Sequence, residues 1–312
     1  MKKIKNGVLF LLRKYDYLSF KAKRRVSFVW IILSPLRYIR DRFWLPLIFR
    51  RTLESDLGTM KRDIGFLEIY PESKLVLEII ENTRNLIKER KQFNTKPYLQ
   101  EISDLSDYGP SSPEFQLATS PNLVGTVTRY LGSFPYLHNI TALWSPSPEK
   151  IGRLSEQDYS GSQLFHRDAD DIRVAKVWIL CESVTHENGP TVLLTTSKSD
   201  DICKEIKYKE GERISIEVEK SLNIKQTDLR YAIGKPGTTY MTDTVRLLHY
   251  GSRTQKNSER LVLMFHYVTF FSNYVRPIVR DGKGEKLHDD FLEEVSPQLS
   301  RLQTSLIRFH LR

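Results

Sequence analysis

From Pro71 onward, apolar side chains return at helical intervals at Leu75, Leu77, Ile79, Ile80, Leu86 and Ile87. Glu72 lies near the start, and Arg84, Lys88 and Arg90 lie later, so the stretch predicts a surface helix whose charges suit its dipole. Residues 52–70 before it read as a connector with a short helix, and the Pro/Ser/Gly cluster from Gly109 to Pro113 interrupts the chain after it. A second helix is expected over Leu123–Leu131. Beyond that point the pattern changes to short apolar runs between turn signals: Tyr136–Trp144, Val174–Cys181, Pro190–Thr195, Thr239–Leu248 and Arg260–Phe271. Such runs predict an antiparallel sandwich or barrel rather than alternating strands and helices, hence a mainly β chain with flanking helices (α+β). A final helix is expected around Leu292–Leu311. The loop Ser145–Ser162, rich in Ser, Pro and charge, immediately precedes His166 and suits a substrate entrance.

Charge divides the chain more sharply than hydropathy does. The formal net charge is +10, yet residues 1–51 hold fourteen Lys/Arg against Asp16 and Asp41, leaving the other residues near neutrality. The basic character belongs to one segment, which argues against nucleic acid as partner of the whole protein. In that segment the cations alternate with Val8–Leu12, Val26–Leu33 and Phe43–Phe49. The longest uncharged run, Val26–Leu36, has eleven residues, where a membrane span needs about twenty. We therefore expect residues 1–55 to form a basic, aromatic-rich helical extension to a catalytic domain over 56–312. Residues 1–51 either lie in the headgroup region of an anionic membrane, with Trp30 and Trp44 as anchors, or pack on the domain. Only Cys181 and Cys203 are present, which suits a reducing, cytoplasmic setting.

One stretch carries chemistry. His166 and Asp168, two apart on a strand, project to the same face, and His249 on a distant strand completes two imidazoles and one carboxylate. Such a facial set suits non-haem Fe(II), with positions left open for a 2-oxoacid and O2. Arg260, eleven residues past His249, begins a strand expected beside the one ending at His249, where its guanidinium would pair with a dicarboxylate.

These residues resemble the phytanoyl-CoA dioxygenase-like family of Fe(II)/2-oxoglutarate-dependent oxygenases. The resemblance rests on Gln163-Leu-Phe-His166-Arg-Asp168, Lys176-Val-Trp178-Ile-Leu180, Glu187-Asn-Gly189-Pro190-Thr191, Asp243-Thr-Val-Arg-Leu-Leu-His249 and Arg260, and covers about residues 120–272. It implies a double-stranded β-helix (jelly roll, cupin-like) core, Fe(2+) on His166, Asp168 and His249, 2-oxoglutarate on Arg260, and O2 as co-substrate. The activity implied is hydroxylation of a C–H bond in a small-molecule, lipid-linked or glycan substrate, with succinate and CO2 released. Asp168 argues against halogenation, because halogenases of this branch lack the carboxylate. The chain departs from the family at Thr195-Thr-Ser-Lys198 and at Thr242, positions that bear on subfamily and substrate. A non-catalytic jelly-roll binding protein, peripheral on a membrane, is the competing reading.

Around the three ligands, Lys176 is expected as a pocket cation, Trp178 as core or cosubstrate wall, and Gln163 as a pocket hydrogen-bonder or turn residue. His138 and His266 are expected in the core or rim rather than on a metal. Arg167 and Arg173 read as solvated, with an anionic substrate as the alternative.

Overall fold

The structure, a computed structural model, describes residues 20–53, 57–89, 96–152, 158–272, 275 and 296–308. The chain opens with α1 (Phe20–Leu33) and α2 (Pro35–Ile39), one wide turn over Arg40–Trp44 and α3 (Leu45–Ile48). Then come β1 (Phe66–Ile69), α4 (Ser73–Glu89), β2 (Gln100–Glu101), α5 (Pro113–Ala118), α6 (Pro121–Leu131), β3 (Tyr136–Ser145) and β4 (Ala175–Leu180). The rest is β5 (Val192–Leu194), α7 (Thr196–Glu205), α8 (Ile216–Ser221), β6 (Leu229–Tyr231), β7 (Thr239–Thr242), β8 (His249–Tyr250), β9 (Arg260–Val268) and α9 (Arg301–Ile307).

The strands form two antiparallel sheets, a larger one in the order β1-β7-β4-β9-β3-β2 and a smaller one in the order β6-β5-β8. Alternation along the central strands sets what each face does. Ala175, Val177 and Ile179 of β4 and Leu261, Leu263, Phe265 and Tyr267 of β9 pack into the main core with α4, α5, α6 and α9. The opposite face carries Trp178, Leu180, Val262 and Met264, which meet Val184 and Ala232 from the turns of the second sheet. Helices thus cover one face of the large sheet and the small sheet covers the other, which is the jelly-roll arrangement anticipated from the short runs. A register shift between Leu137 and Asn139 marks a bulge in β3, and both Leu137 and Ile140 enter the main core despite their odd spacing.

Three expectations need correction. Residues 52–70 supply the edge strand β1, paired with β7, and no helix among the described residues; four residues at a sheet edge carry too little alternation to read. Thr239–Leu248 is not one strand, because Asp243 ends β7 and starts a turn. Arg260 does not begin a strand beside the one ending at His249. β9 runs between β4 and β3 in the large sheet, whereas β8 belongs to the small one, so residues 251–259 cross from sheet to sheet. The C-terminal helix is present over Arg301–Ile307, and the rest of its expected span lies outside or beyond the described helix.

The N-terminal helices have two unlike sides. On the inner side Trp30 is 1% exposed, Leu45 and Phe49 join the main core, and Lys23 donates to the Ala169 carbonyl at 3.0 Å. In the wide turn, Leu45 N–H bonds to Arg40 O and Asp41 turns inward. There Asp41 accepts from the Tyr136 hydroxyl at 2.6 Å and pairs with Arg40 at 2.8 Å and Arg308 at 3.1 Å. On the outer side Phe28, Ile32, Leu36, Phe43, Trp44, Leu47 and Ile48 are exposed. Trp30 is therefore a core residue and not a surface anchor, while Trp44, 60% exposed, is free of the core. Among the described residues no helix is long and apolar enough to cross a membrane. The apolar run Val8–Leu12 lies outside them.

Candidate metal and carboxylate site

His166 and His249 are brought together by the backbone. Each donates its N–H to the other's carbonyl, at 3.0 and 2.9 Å, in an isolated antiparallel bridge. Their rings sit 4.2 Å apart between centroids. Asp168 follows in irregular chain rather than on a strand, and its N–H bonds to Thr244 O at 3.0 Å. Asp243 in turn fixes the segment leading to His249, accepting from Val245 N at 3.2 Å and Arg246 N at 3.3 Å. The expected convergence therefore occurs, but cross-chain pairing causes it instead of strand alternation.

One ligand atom from each of His166, Asp168 and His249 lies within 4.8 Å of the others. Nδ1 of His166 faces Leu164 O at 2.8 Å and Nδ1 of His249 faces Leu247 O at 3.1 Å. A carbonyl can only accept, so the proton is placed on Nδ1 and the lone pair of Nε2 points at Asp168, 3.6 and 3.8 Å away. Burial, followed by the neighbouring His249, holds His166 well below the usual imidazole range, and burial also lowers His249. Burial works against the charge on Asp168, but the neighbouring Lys176 outweighs it and holds the carboxyl well below its ordinary range. Two neutral imidazoles with oriented lone pairs and one ionised carboxylate fit a divalent transition metal.

Of the other predicted residues, Lys176, Trp178 and Arg260 line the inner face of the large sheet, while Gln163 lies in the turn Gly161–Gln163. Lys176 on β4 donates to Asp168 Oδ2 at 2.7 Å. Trp178, two residues on, donates its Nε1–H to Thr242 Oγ1 at 2.8 Å. Gln163 is buried and donates Nε2 to Ser252 O at 2.7 Å, bracing the turn before His166. Arg260, 3% exposed, is met among the described residues by hydroxyls alone: Thr191 Oγ1 at 3.2 Å, Ser252 Oγ at 3.0 Å and Ser145 Oγ at 3.3 Å. Among the described residues no carboxylate pairs with it, its buried Nε has no acceptor, and burial pulls its pKa down to about 10. A cation so placed fits the carboxylate of a ligand.

Thr191, Ser145 and Ser252 were not legible as site residues, because hydroxyl residues at strand ends are common and only the fold aims them at one guanidinium. Gly189 explains part of their placement. Its φ is +63°, and a β-carbon there would stand 2.6 Å from Thr254 N, so only glycine lets this turn close on the 252–254 segment. His138 and His266 stand edge to face at 5.2 Å outside the ligand trio, with His266 Nε2 3.7 Å from Asp170. Arg167 corrects its expectation. It is buried, with Nη2 2.7 Å from Asp200, because a partner 33 positions away folds over it.

The chain matches no protein-family model and no curated protein. Solved structures similar to it include the non-heme alpha-ketoglutarate-dependent epimerase SnoN from nogalamycin biosynthesis, at 15% identity over 72% of this chain and 83% of that one, TM-score 0.43. Another is apo EctD from S. alaskensis, at 16% identity, 70% and 81% coverage and TM-score 0.47. A third is HygX from Streptomyces hygroscopicus with nickel and 2-oxoglutarate bound, at 16% identity, 69% and 89% coverage and TM-score 0.46.

Proposed function

We propose that the chain is an Fe(II)/2-oxoglutarate-dependent oxygenase in which His166, Asp168 and His249 hold the iron and Arg260 takes the distal carboxylate of 2-oxoglutarate. The observation that carries this reading is the pairing of an oriented His-Asp-His trio with a buried arginine on the same inner surface whose partners among the described residues are hydroxyls only. Iron bound there supplies the coupling of 2-oxoglutarate decarboxylation, to succinate and CO2, with insertion of one oxygen atom of O2 into a substrate C–H bond. The protein's part is positional. Leu164 O and Leu247 O fix both imidazole tautomers, Thr191, Ser145 and Ser252 hold the guanidinium fork, and Trp178 is held beside Lys176 by its bond to Thr242. The substrate class is a small molecule, with a lipid-linked or glycan compound favoured by the N-terminal segment.

The competing reading, a non-catalytic jelly-roll binding protein, draws on Lys176, whose ammonium already answers the charge of Asp168 at 2.7 Å. Succinate release with Fe(II), 2-oxoglutarate and ascorbate separates the two. Turnover in the wild type, lost in both His166→Ala and Arg260→Ala, is expected of the oxygenase, and activity unchanged in either variant would sink it.

Residues 1–55 are proposed to seat the 56–312 domain against a membrane surface. The exposed row Phe28, Ile32, Leu36, Phe43, Trp44, Leu47 and Ile48, flanked by Arg24, Arg25, Arg42 and Arg50, supports this. Trp44→Ser with Leu47→Ser should abolish flotation with anionic vesicles while leaving the unfolding midpoint unchanged; retained flotation would exclude this face.

A further inference from the structure

Behind the N-terminal helices lies a cleft of about 540 Å³ that is separate from the residues around His166. Five arginines line it, Arg24, Arg42, Arg62, Arg173 and Arg246, against two aspartates, Asp41 and Asp63. Asp41 is already committed to Arg40, Arg308 and Tyr136. Asp63 is exposed at the rim, Arg246 has Asp200 at 3.3 Å, and the buried Asp243 attracts both Arg173 and Arg246.

The guanidinium groups converge at the end of α6. Arg42 donates to the Gly132 carbonyl. A β-carbon at Gly132 would lie 3.2 Å from Arg62 Nη2 and 3.5 Å from Arg42 Nη1. Arg173 Nη1 approaches the Leu131 and Tyr130 carbonyls at 3.4 and 3.5 Å. Arg173 crowds Arg62 most, followed by burial, with Arg42 and Arg24 adding to it; together they lower its pKa.

Helix capping alone does not account for this gathering. The C-terminus of a helix presents about half a negative charge, and that partial charge faces several full cations here. Arg24, Arg42 and Arg62 add charge beyond what Asp243 and Asp200 answer on Arg173 and Arg246, and like charges drawn this close around a cavity favour an anion from outside. Tyr38, Ile172 and Phe270 are among the other residues of the wall, so the anion can carry an organic group.

We propose that this cleft is a binding site for a phosphate or pyrophosphate ester, held by Arg42, Arg62 and Arg173 with Arg24 at the rim. Guanidinium forks match phosphate oxygens bidentately, and several forks around one cavity favour a multiply charged phosphoryl group over a single carboxylate. The phosphoryl group has two sources, a lipid headgroup or a soluble phosphate ester. The site stands apart from the iron reading, because none of its residues is among the proposed ligands.

The test uses the full chain in EDTA, which removes metal as a binding partner for the probe. Inorganic pyrophosphate is titrated calorimetrically at low ionic strength into the wild type, Arg62→Ala and Arg24→Ala. Saturable one-to-one binding is expected, weakened about tenfold by Arg62→Ala, as loss of one charge-assisted contact implies. The unfolding midpoint of Arg62→Ala without pyrophosphate should equal that of the wild type, since this side chain is exposed. Flotation with phosphatidylcholine vesicles containing phosphatidic acid then separates the sources. Flotation competed away by pyrophosphate and weakened in Arg62→Ala assigns the cleft to a lipid headgroup. Pyrophosphate binding that leaves flotation unchanged assigns it to a soluble ester. No binding of pyrophosphate or of these vesicles, or equal binding in wild type and both variants, overturns the proposal.

Discussion

Two cations lie on the inner face of the large sheet, Lys176 half-buried and Arg260 buried, and they are treated in opposite ways. Lys176 lies 2.7 Å from Asp168, and although burial opposes its charge, Asp168 and Asp170 raise its pKa. Arg260 has three hydroxyls and no carboxylate among the described residues, and burial lowers its pKa to about 10. A buried ion pair is self-contained, whereas a buried lone cation is tolerated at a cost that a ligand can relieve. The same face thus carries one charge already answered and one held open. The first neighbours the proposed ligands, and the second is where the chain needs a partner from outside.

Breaking the pair should cost most. Lys176→Met leaves Asp168 without its cation and should destabilise the metal-free protein by about 3–5 kcal/mol in urea titration, with added Fe(II) recovering part of that loss. Arg260→Met should instead leave the ligand-free protein as stable as the wild type or more so, since an uncompensated charge is removed. Equal losses in the two variants would erase the contrast. In turnover, Arg260→Met should raise the KM for 2-oxoglutarate by roughly a hundredfold, from the loss of about two charge-assisted hydrogen bonds.

The smallest effect concerns pH. The guanidinium of Arg260 is charged below about 10 and loses its proton above it. Binding of a carboxylate requires the charged form, so 2-oxoglutarate affinity should be flat at lower pH and fall about tenfold one unit above that pKa. Fluorescence titration across this range checks the sign, and an affinity that rises with pH would contradict it.

The sequence offers one half of this contrast, Arg260 as a cation awaiting a dicarboxylate, and not the pairing of Lys176 with Asp168. His166, Asp168, His249 and Arg260 stand out as candidates by residue type, order and spacing, and β3, β4 and β9 fall within the short apolar runs between turn signals. Other features were not local. Trp30 and Trp44 sit in similar basic, aromatic surroundings in sequence, yet one is buried and the other is not, because the wide turn at Arg40–Trp44 changes which side faces the domain. Arg167 reads as a surface residue until Asp200 is placed beside it. The neighbours of β9 were misplaced because adjacency in sequence says nothing about a chain that crosses between sheets.

The bulge in β3 sets a kind of parity. Tyr136 pairs with Val268 and Ser145 with Arg260, so both share one face although their separation is odd, which strict alternation forbids. Tyr136 holds Asp41 of the N-terminal segment, while Ser145 supports Arg260. The one extra residue near His138 lets a single strand serve both ends in phase. Its deletion would put one end inside out, so the helical extension and the arginine site could not both be kept.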